Sequence, residues 1–315
     1  MKWLFLMDPL ESVKPQKDTT YAIMCEAYDR GHEVYYLPKG GISLHGELIW
    51  FRVVHVIPQK SQTEPFIIGE ASLLSQDQVN AIFIRTDPPF DQDYLMHTWL
   101  LDRLPENILV MNSANGIRTV NEKLWATQFT TLIPPTAVTR HVEDFRSFLE
   151  MHQTVIAKPT DGFGGAGVFF VRQDETNANV IFETLSAGRT KEVILQKYIP
   201  AAKIGDKRIL LLNGNPLGAV LRVHSDSDHR NNFFAGGHPA PAEITPRDHE
   251  IINTLRPHLQ ALGLYFVGID VIGDYLIEVN VTSPTCLQEM NRIYKQNLAT
   301  PIVEFVEAKI GRSSE

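Results

Sequence analysis

Residues 268–286 read GIDVIGDYLIEVNVTSPTC, with Asp270 and Glu278 set inside two otherwise apolar, strand-like runs. No other stretch restricts the fold as much. Side chains alternate between the two faces of a strand. In a hairpin, one face carries Val267, Ile269, Val271, Ile277, Val279 and Val281. The other carries Gly268, Asp270, Glu278 and Asn280, with Ile272 and Leu276 near the turn. A two-residue Gly273–Asp274 turn would put the acids on opposite faces, whereas a three-residue loop sets them opposite each other on one face. The apolar pattern predicts the three-residue loop. Cβ atoms paired in that way lie about 5 Å apart. At an effective dielectric near 20 the two charges repel by roughly 3 kcal/mol. Such a pair needs a shared proton or a cation. Asn280 adds a third oxygen on the same face, and Asp, Glu and Asn oxygens suit a hard ion such as Mg²⁺ that also binds substrate phosphates. Neutralisation by neighbouring arginines is the alternative.

Beyond the hairpin, Ser283 and Pro284 predict a helix N-cap and its first-turn proline. The free N–H groups of that helix would receive a substrate carboxylate. Arg208 and Arg222 fall within the apolar runs KRILLLNG and PLGAVLRVH. A buried, unpaired guanidinium is costly, so both are expected to face anions in a site, or else to form structural ion pairs.

A glycine loop, AKPTDGFGGAGVFFV, spans 157–171. Gly162, Gly164 and Gly167 match a dinucleotide-type spacing. The loop leads into a strand rather than a helix, and no Lys-Ser/Thr follows it, so neither a Rossmann nor a Walker site is indicated. A strand–glycine loop–strand unit can fold its N–H groups over phosphates, or it can be a plain turn. Lys158 ends the strand before the loop, and Lys123 is a second phosphate candidate. The segment after VILQ, KYIPA, could present backbone groups to an adenine edge. The polar stretch 224–241, HSDSDHRNNFFAGGHPAP, reads as a mobile lid with Arg230 and Asn232 reaching inward. His224, Asp226, Asp228 and His229 lack the spacing of a calcium loop and read as solvated.

The first hundred residues alternate strand and helix: KWLFLMD, DTTYAIMCEAYDRGH, EVYYLP, VNAIFIR. That order predicts a parallel sheet. No glycine-rich turn follows the first strand. Ligands gather at the carboxyl ends of such strands, which draws attention to Arg85 in IRTDPPFD and to Lys17. Further on, NEKLWATQF reads as a short helix, Asn213–Gly214 as a hairpin turn, and TPRDHEIINTLRPHLQALG as a Thr-capped helix closing at Gly263 with a kink at Pro257. Net charge is −8 with no basic run. Nucleic acid and anionic membrane surfaces are therefore not expected as partners. No apolar run reaches signal-peptide or membrane-spanning length, which predicts a cytoplasmic protein. Cys25 and Cys286 suggest neither a disulfide scaffold nor zinc, and a buried structural thiol is the expectation for Cys286.

Taken together, NEKL, KPTDGFGGAGVF, GDKRILLLNG, IRTDPPFD and FVGIDVIGDYLIEVNVTSPTC resemble the bacterial glutathione synthetases, a family of ATP-grasp ligases, and the similarity runs along nearly the whole chain. The resemblance implies an α/β ATP-grasp fold. It comprises an N-terminal Rossmann-like parallel-sheet domain (1–121), a small lid domain with the glycine loop (122–200) and a C-terminal antiparallel-sheet domain (201–315). It implies ligation of γ-glutamylcysteine to glycine through an acyl phosphate, with ATP as co-substrate and two Mg²⁺, replaceable by Mn²⁺. Lys123, Lys158, Gly162, Gly164 and Gly165 would bind ATP phosphates, and Gln196, Lys197, Tyr198, Ile199 and Asp206 would frame adenosine. Asp270, Glu278 and Asn280 would hold the metal. Arg208 and Arg222, with Lys158, would be catalytic. Lys17, Arg85, Arg230, Asn232, Asn280, Ser283, Pro284 and Thr285, with the two arginines, would bind the dipeptide. The resemblance also implies a homotetramer. The chain departs from it at 224–229, where a more glycine-rich segment is expected. Two rivals are an ATP-grasp ligase for another carboxylate and a nucleotide-binding regulator without catalysis. The second would be expected to lack a metal ligand or a catalytic arginine, and neither is missing.

Overall fold

The computed structural model describes residues 1–162, 164–223 and 237–312. Three sheets organise them. The first comprises β1 (Lys2–Leu6), β2 (Glu33–Leu37), β3 (Ile42–His45), β4 (Leu48–Pro58), β5 (Phe66–Ser75), β6 (Ala81–Ile84) and β7 (Leu109–Met111). Its order is β3-β4-β2-β1-β6-β7, with β5 added on β4. The strands β2-β1-β6-β7 are parallel, as the βαβ pattern predicts, while β3, β4 and β5 run antiparallel. The central strand β1 is apolar at every inner position, and Trp3, Leu4, Phe5 and Leu6 are all fully buried. That is the signature of a parallel strand covered on both faces. The sheet is therefore mixed. The β4–β5 pair carries no connecting helix, so the alternation of strand and helix does not reveal it. α1 (Thr19–Asp29) starts at Asp18, whose side chain accepts from the Tyr21 N–H at 2.7 Å. α2 (Gln92–Leu101) and α3 (Ala114–Thr119) complete this region.

The second sheet holds β8 (Thr136–Thr139), β9 (Thr154–Pro159), β10 (Phe169–Arg172) and β11 (Val193–Lys197), in the order β10-β9-β11-β8, all antiparallel. α4 (Val142–His152) and α5 (Ala178–Leu185) share its core, where Phe145 and Phe182 stack 4.8 Å apart. NEKLWATQF does not form the expected α-helix; only a 3-10 turn, Trp125–Gln128, is present.

The third sheet is built from β12 (Asp206–Leu212), β13 (Asn215–Val223), β14 (His238–Pro241), β15 (Phe266–Ile272) and β16 (Tyr275–Asn280). It is antiparallel, in the order β14-β13-β12-β15-β16. Asn213 and Gly214 take φ of 51° and 74°, so the β12–β13 turn is the two-residue hairpin that Asn-Gly predicts. α6 (Pro246–Ala261) opens with a capping box from Thr245 and Asp248 and runs through Pro257. α7 (Leu287–Tyr294) and α8 (Ala299–Arg312) pack back onto α1. Among the described residues no helix is long and apolar enough to cross a membrane.

The β15–β16 hairpin corrects one expectation in an instructive way. Ile272 pairs with Tyr275, so the turn has two residues, Gly273 and Asp274, not three. Asp270 still faces Glu278, because the register shifts between Asp270 and Val271: Val271 pairs with Leu276, and Ile277 is the extra residue of a β-bulge. The bulge reverses the faces near the turn. Leu276 is fully buried in the core, and Ile277 turns to the cleft.

Candidate active site

The second and third sheets enclose a cavity of about 250 Å³. Its chemistry follows from strand register. Arg208 on β12 pairs with Asp270 on β15, which pairs with Glu278 on β16, while Asp206 on β12 pairs with Arg222 on β13. Asp206 and Arg208 are two residues apart and so share a face. Four strands thus deliver two arginines and three carboxylates to one side of the sheet. Gly268 makes room for the Arg208 stem, since a Cβ there would lie 3.2 Å from Arg208 Cδ and 3.1 Å from Pro284 Cβ.

These groups form a closed ion-pair network. Arg208 donates to both Asp270 oxygens, from Nε at 2.5 Å and Nη2 at 2.9 Å. Arg222 Nη2 lies 2.9 Å from Asp270 Oδ2, and its Nε and Nη2 donate to Asp206 at 2.6 and 2.8 Å. Burial works to raise the Asp270 pKa, but Arg208 and Arg222 outweigh it and hold the carboxyl well below the ordinary range. Burial opposes the charge on Arg222, while Asp206 and Asp270 keep it firmly protonated. Two arginines therefore neutralise Asp270 in this structure, which is the alternative raised from the sequence. The oxygens of Asp270 and Glu278 nonetheless face the same cavity as Asn280. The Asn280 amide donates to Gly268 O at 3.3 Å and Asp270 Oδ2 at 3.4 Å, and turning it over presents its oxygen instead. Among the described residues no three His, Cys, Asp or Glu side chains converge closely enough to hold an ion. Two carboxylates and an amide oxygen fit Mg²⁺ only when substrate phosphates complete its shell, and that is how Mg²⁺ commonly binds.

Opposite, β9 and β10 bracket the glycine loop as predicted, with Gly162, Gly164 and Gly165 on the cavity wall. Lys158, 4% exposed, is the next-to-last residue of β9, with Nζ 4.0 Å from Glu278 Oε1. Burial lowers its ammonium pKa, against the pull of Glu278. Lys123 Nζ donates to the Gly162 carbonyl and, at 3.5 Å, to that of Asp161, tethering the loop. At the far end Gln196, Lys197, Tyr198 and Ile199 meet the apolar side chains of Ile156, Ile272 and Ile277. The Lys197 and Tyr198 N–H groups are spent on the Pro135 and Thr154 carbonyls at 2.9 and 3.1 Å.

Residues 1–118 match the N-terminal domain of prokaryotic glutathione synthetase, and residues 122–295 match its ATP-grasp domain. The chain belongs to the prokaryotic glutathione synthetase family. It is 39% identical to the glutathione synthetase of Nostoc sp., over 98% of this chain and 99% of the relative, and 36% identical to that of Escherichia coli strain K12, over 97% of each. The crystal structure of a D-cycloserine synthetase superposes with a TM-score of 0.67 at 13% identity, covering 96% of this chain and 99% of that one, and shows the same fold.

Not every residue singled out from the sequence reaches the cavity. Lys17 lines a separate groove between α1 and α7, with Tyr21, Cys25 and Arg292. Arg85 is buried behind the wall, where Nε donates to Thr20 Oγ1 and Nη2 to the Pro284 carbonyl, both at 2.9 Å. It thereby supports the segment carrying Ser283 and Thr285, which do line the cavity, whereas Pro284 does not. Ser283 is not a helix cap: its Oγ donates to the Arg85 carbonyl at 3.2 Å, and α7 begins at Leu287 after Cys286 at φ 87°. The Cys286 thiol is buried, and burial pushes its pKa up. Arg230, Asn232, His224, Asp226, Asp228 and His229 lie outside the described residues. Sequence reasoning missed Glu122, Asp87, Thr282, Ile156, Ile272 and Ile277 as cavity residues, all of which line it. Glu122 lies inside NEKL, as Asp87 lies inside IRTDPPFD and Thr282 inside EVNVTSPTC.

Proposed function

We propose that this chain joins γ-glutamylcysteine to glycine, with ATP and Mg²⁺, through an acyl phosphate. The observation that carries this reading is the convergence of Lys158, the glycine loop, the Asp270–Glu278 pair and the two arginines on one cavity. The cysteinyl carboxylate would take the γ-phosphoryl group as ADP leaves; the glycine amine would then attack the acyl carbon, lose its proton and expel phosphate. Lys123, Lys158 and the N–H groups of the glycine loop would grip the phosphates. The isoleucine-lined end would take the adenine ring, which is large and apolar on both faces. Bound Mg²⁺ supplies positive charge to the phosphates, and Asp270, Glu278 and Asn280 would hold it. Arg208 and Arg222 would offset the negative charge that develops on the acyl phosphate, which is electrostatic rather than acid–base catalysis. Ser283 and Thr285 would position the dipeptide, with Arg85 holding that segment from behind.

Phosphate release is the test, with ATP, Mg²⁺, γ-glutamylcysteine and glycine each omitted in turn. Release that needs all four and yields glutathione supports the reading. Release indifferent to γ-glutamylcysteine assigns the chain to another carboxylate, and no release with any carboxylate refutes a ligase. A homotetramer, implied by the resemblance, is checked by sedimentation.

A further inference from the structure

Glu122 has no role in the scheme above, yet one of its carboxylate oxygens takes three hydrogen bonds at the cavity wall. Its Oε1 accepts from the Val281 N–H at 2.8 Å, the Thr282 N–H at 3.0 Å and Thr282 Oγ1 at 2.8 Å. Its main-chain carbonyl accepts from the Val279 N–H at 2.9 Å. β16 is the edge strand of the third sheet, so it has no further strand to take these donors. One residue, distant in sequence, closes that edge on both sides of Asn280. The next residue, Lys123, is tied to the carbonyls of the glycine loop. Consecutive residues therefore link the phosphate-gripping loop to the strand end that carries Glu278 and Asn280. Three donors on one oxygen fix the strand end more firmly than a single backbone bond would. Burial pushes the Glu122 carboxyl pKa up, the bonds from Thr282 and Val281 oppose that, and the charge on Glu278 adds to the rise. The Tyr94 hydroxyl also feels its field.

Resting on the metal set in the proposed function, we propose that Glu122 is a positioning residue that holds Glu278 and Asn280 in place for Mg²⁺-bound nucleotide. It supports ligands from behind, as partners of metal-binding side chains commonly do, and loss of such a partner typically costs about 10–100-fold in metal affinity.

The test is ADP binding by calorimetry, with and without Mg²⁺, for the wild-type protein, Glu122→Ala, Glu122→Gln and Glu278→Gln. Wild-type protein is expected to bind ADP more tightly with Mg²⁺. Glu122→Ala should bind metal-free ADP at the wild-type affinity and lose about tenfold or more of the Mg²⁺ enhancement. Glu122→Gln, whose amide oxygen accepts the same three bonds, should recover most of it. If Glu122→Ala does not fold, Glu122→Asp takes its place: it keeps the charge, withdraws the oxygen by one methylene and should show the same Mg²⁺-specific loss. Full Mg²⁺ enhancement in the folded variant overturns the proposal. So does an equal loss of metal-free ADP binding, or failure of Glu122→Gln to recover. A different failure marks the metal set itself: no Mg²⁺ enhancement in the wild-type protein, or undiminished enhancement in Glu278→Gln, removes the reading on which the proposal rests.

Discussion

Replacing Asp270 with asparagine removes the charge at the centre of the ion-pair network and leaves nearly the same shape. Arg222 keeps its two bonds to Asp206, but Arg208, 5% exposed, has Asp270 as its ion-pair partner and is left with a neutral amide. Stranding a buried charge costs about 3–5 kcal/mol. The lower end applies, because the amide oxygen still accepts one hydrogen bond. For a chain of this size about 3 kcal/mol lowers the thermal midpoint by roughly 4–5 °C. Scanning calorimetry at pH 7 and a fixed scan rate reads this directly. The double variant Arg208→Met, Asp270→Asn strands no guanidinium and should regain part of the loss, since an apolar replacement of a buried pair is often close to neutral. The pH dependence has a defined sign. The arginines hold the native Asp270 pKa below its unfolded value, so its contribution is full above the unfolded carboxylate pKa of about 3.9 and fades as pH falls toward the native value. The midpoints of wild type and Asp270→Asn should therefore converge in acid. A single variant within about 2 °C of wild type at pH 7, a double variant less stable than the single, or midpoints that diverge in acid would refute this account.

Glu278→Gln is expected to lower turnover, seen as a drop of about 100-fold or more in kcat/KM, with little change in melting because Glu278 is 24% exposed and its one ion-pair partner among the described residues lies at 4.0 Å. Unaltered turnover would end its assignment as a metal ligand. Ile277→Ala removes part of the apolar end of the cavity; a loss of about 1.5 kcal/mol should raise the KM for ATP about tenfold while kcat holds. An unchanged KM would place adenine elsewhere. Gly116→Ala would put a Cβ 2.3 Å from the Leu262 carbonyl oxygen. An overpacking cost of about 1–3 kcal/mol should appear as a lower denaturant midpoint, and a wild-type midpoint would show that α3 can shift freely.

Sequence determined the features that obey short-range rules. Glycine spacing between two β-branched runs announced the loop of β9 and β10, because only glycine takes positive φ cheaply. Asn213–Gly214 announced its turn for the same reason. Period-two alternation announced that Asp270 and Glu278 share a face, and it did so although the turn length was misjudged, since two acids in apolar strands have few other arrangements.

Tertiary structure decided everything that depends on pairing between distant segments. The bulge at Ile277 is such a case: core packing of Leu276 against the rest of the hairpin sets its register, and one slipped residue exchanges faces. The same holds for Asp270. That it is acidic is visible in the chain, but that two arginines from separate strands neutralise it follows only from the order β13-β12-β15. Lys17 and Arg85 stand at promising strand ends in the sequence, yet one faces another groove and the other is buried behind the cavity wall, with one nitrogen on the Pro284 carbonyl. Glu122 lies beside a lysine that the sequence singled out, and its hydrogen bonds become visible only when the end of β16, about 160 residues away, arrives with the donors that its carboxylate accepts. Local sterics and periodicity are written in neighbouring residues. The partners of a buried charge or a strand edge are written in the whole chain at once, because burial makes an unpaired group too costly to leave and the fold alone decides which partner is near.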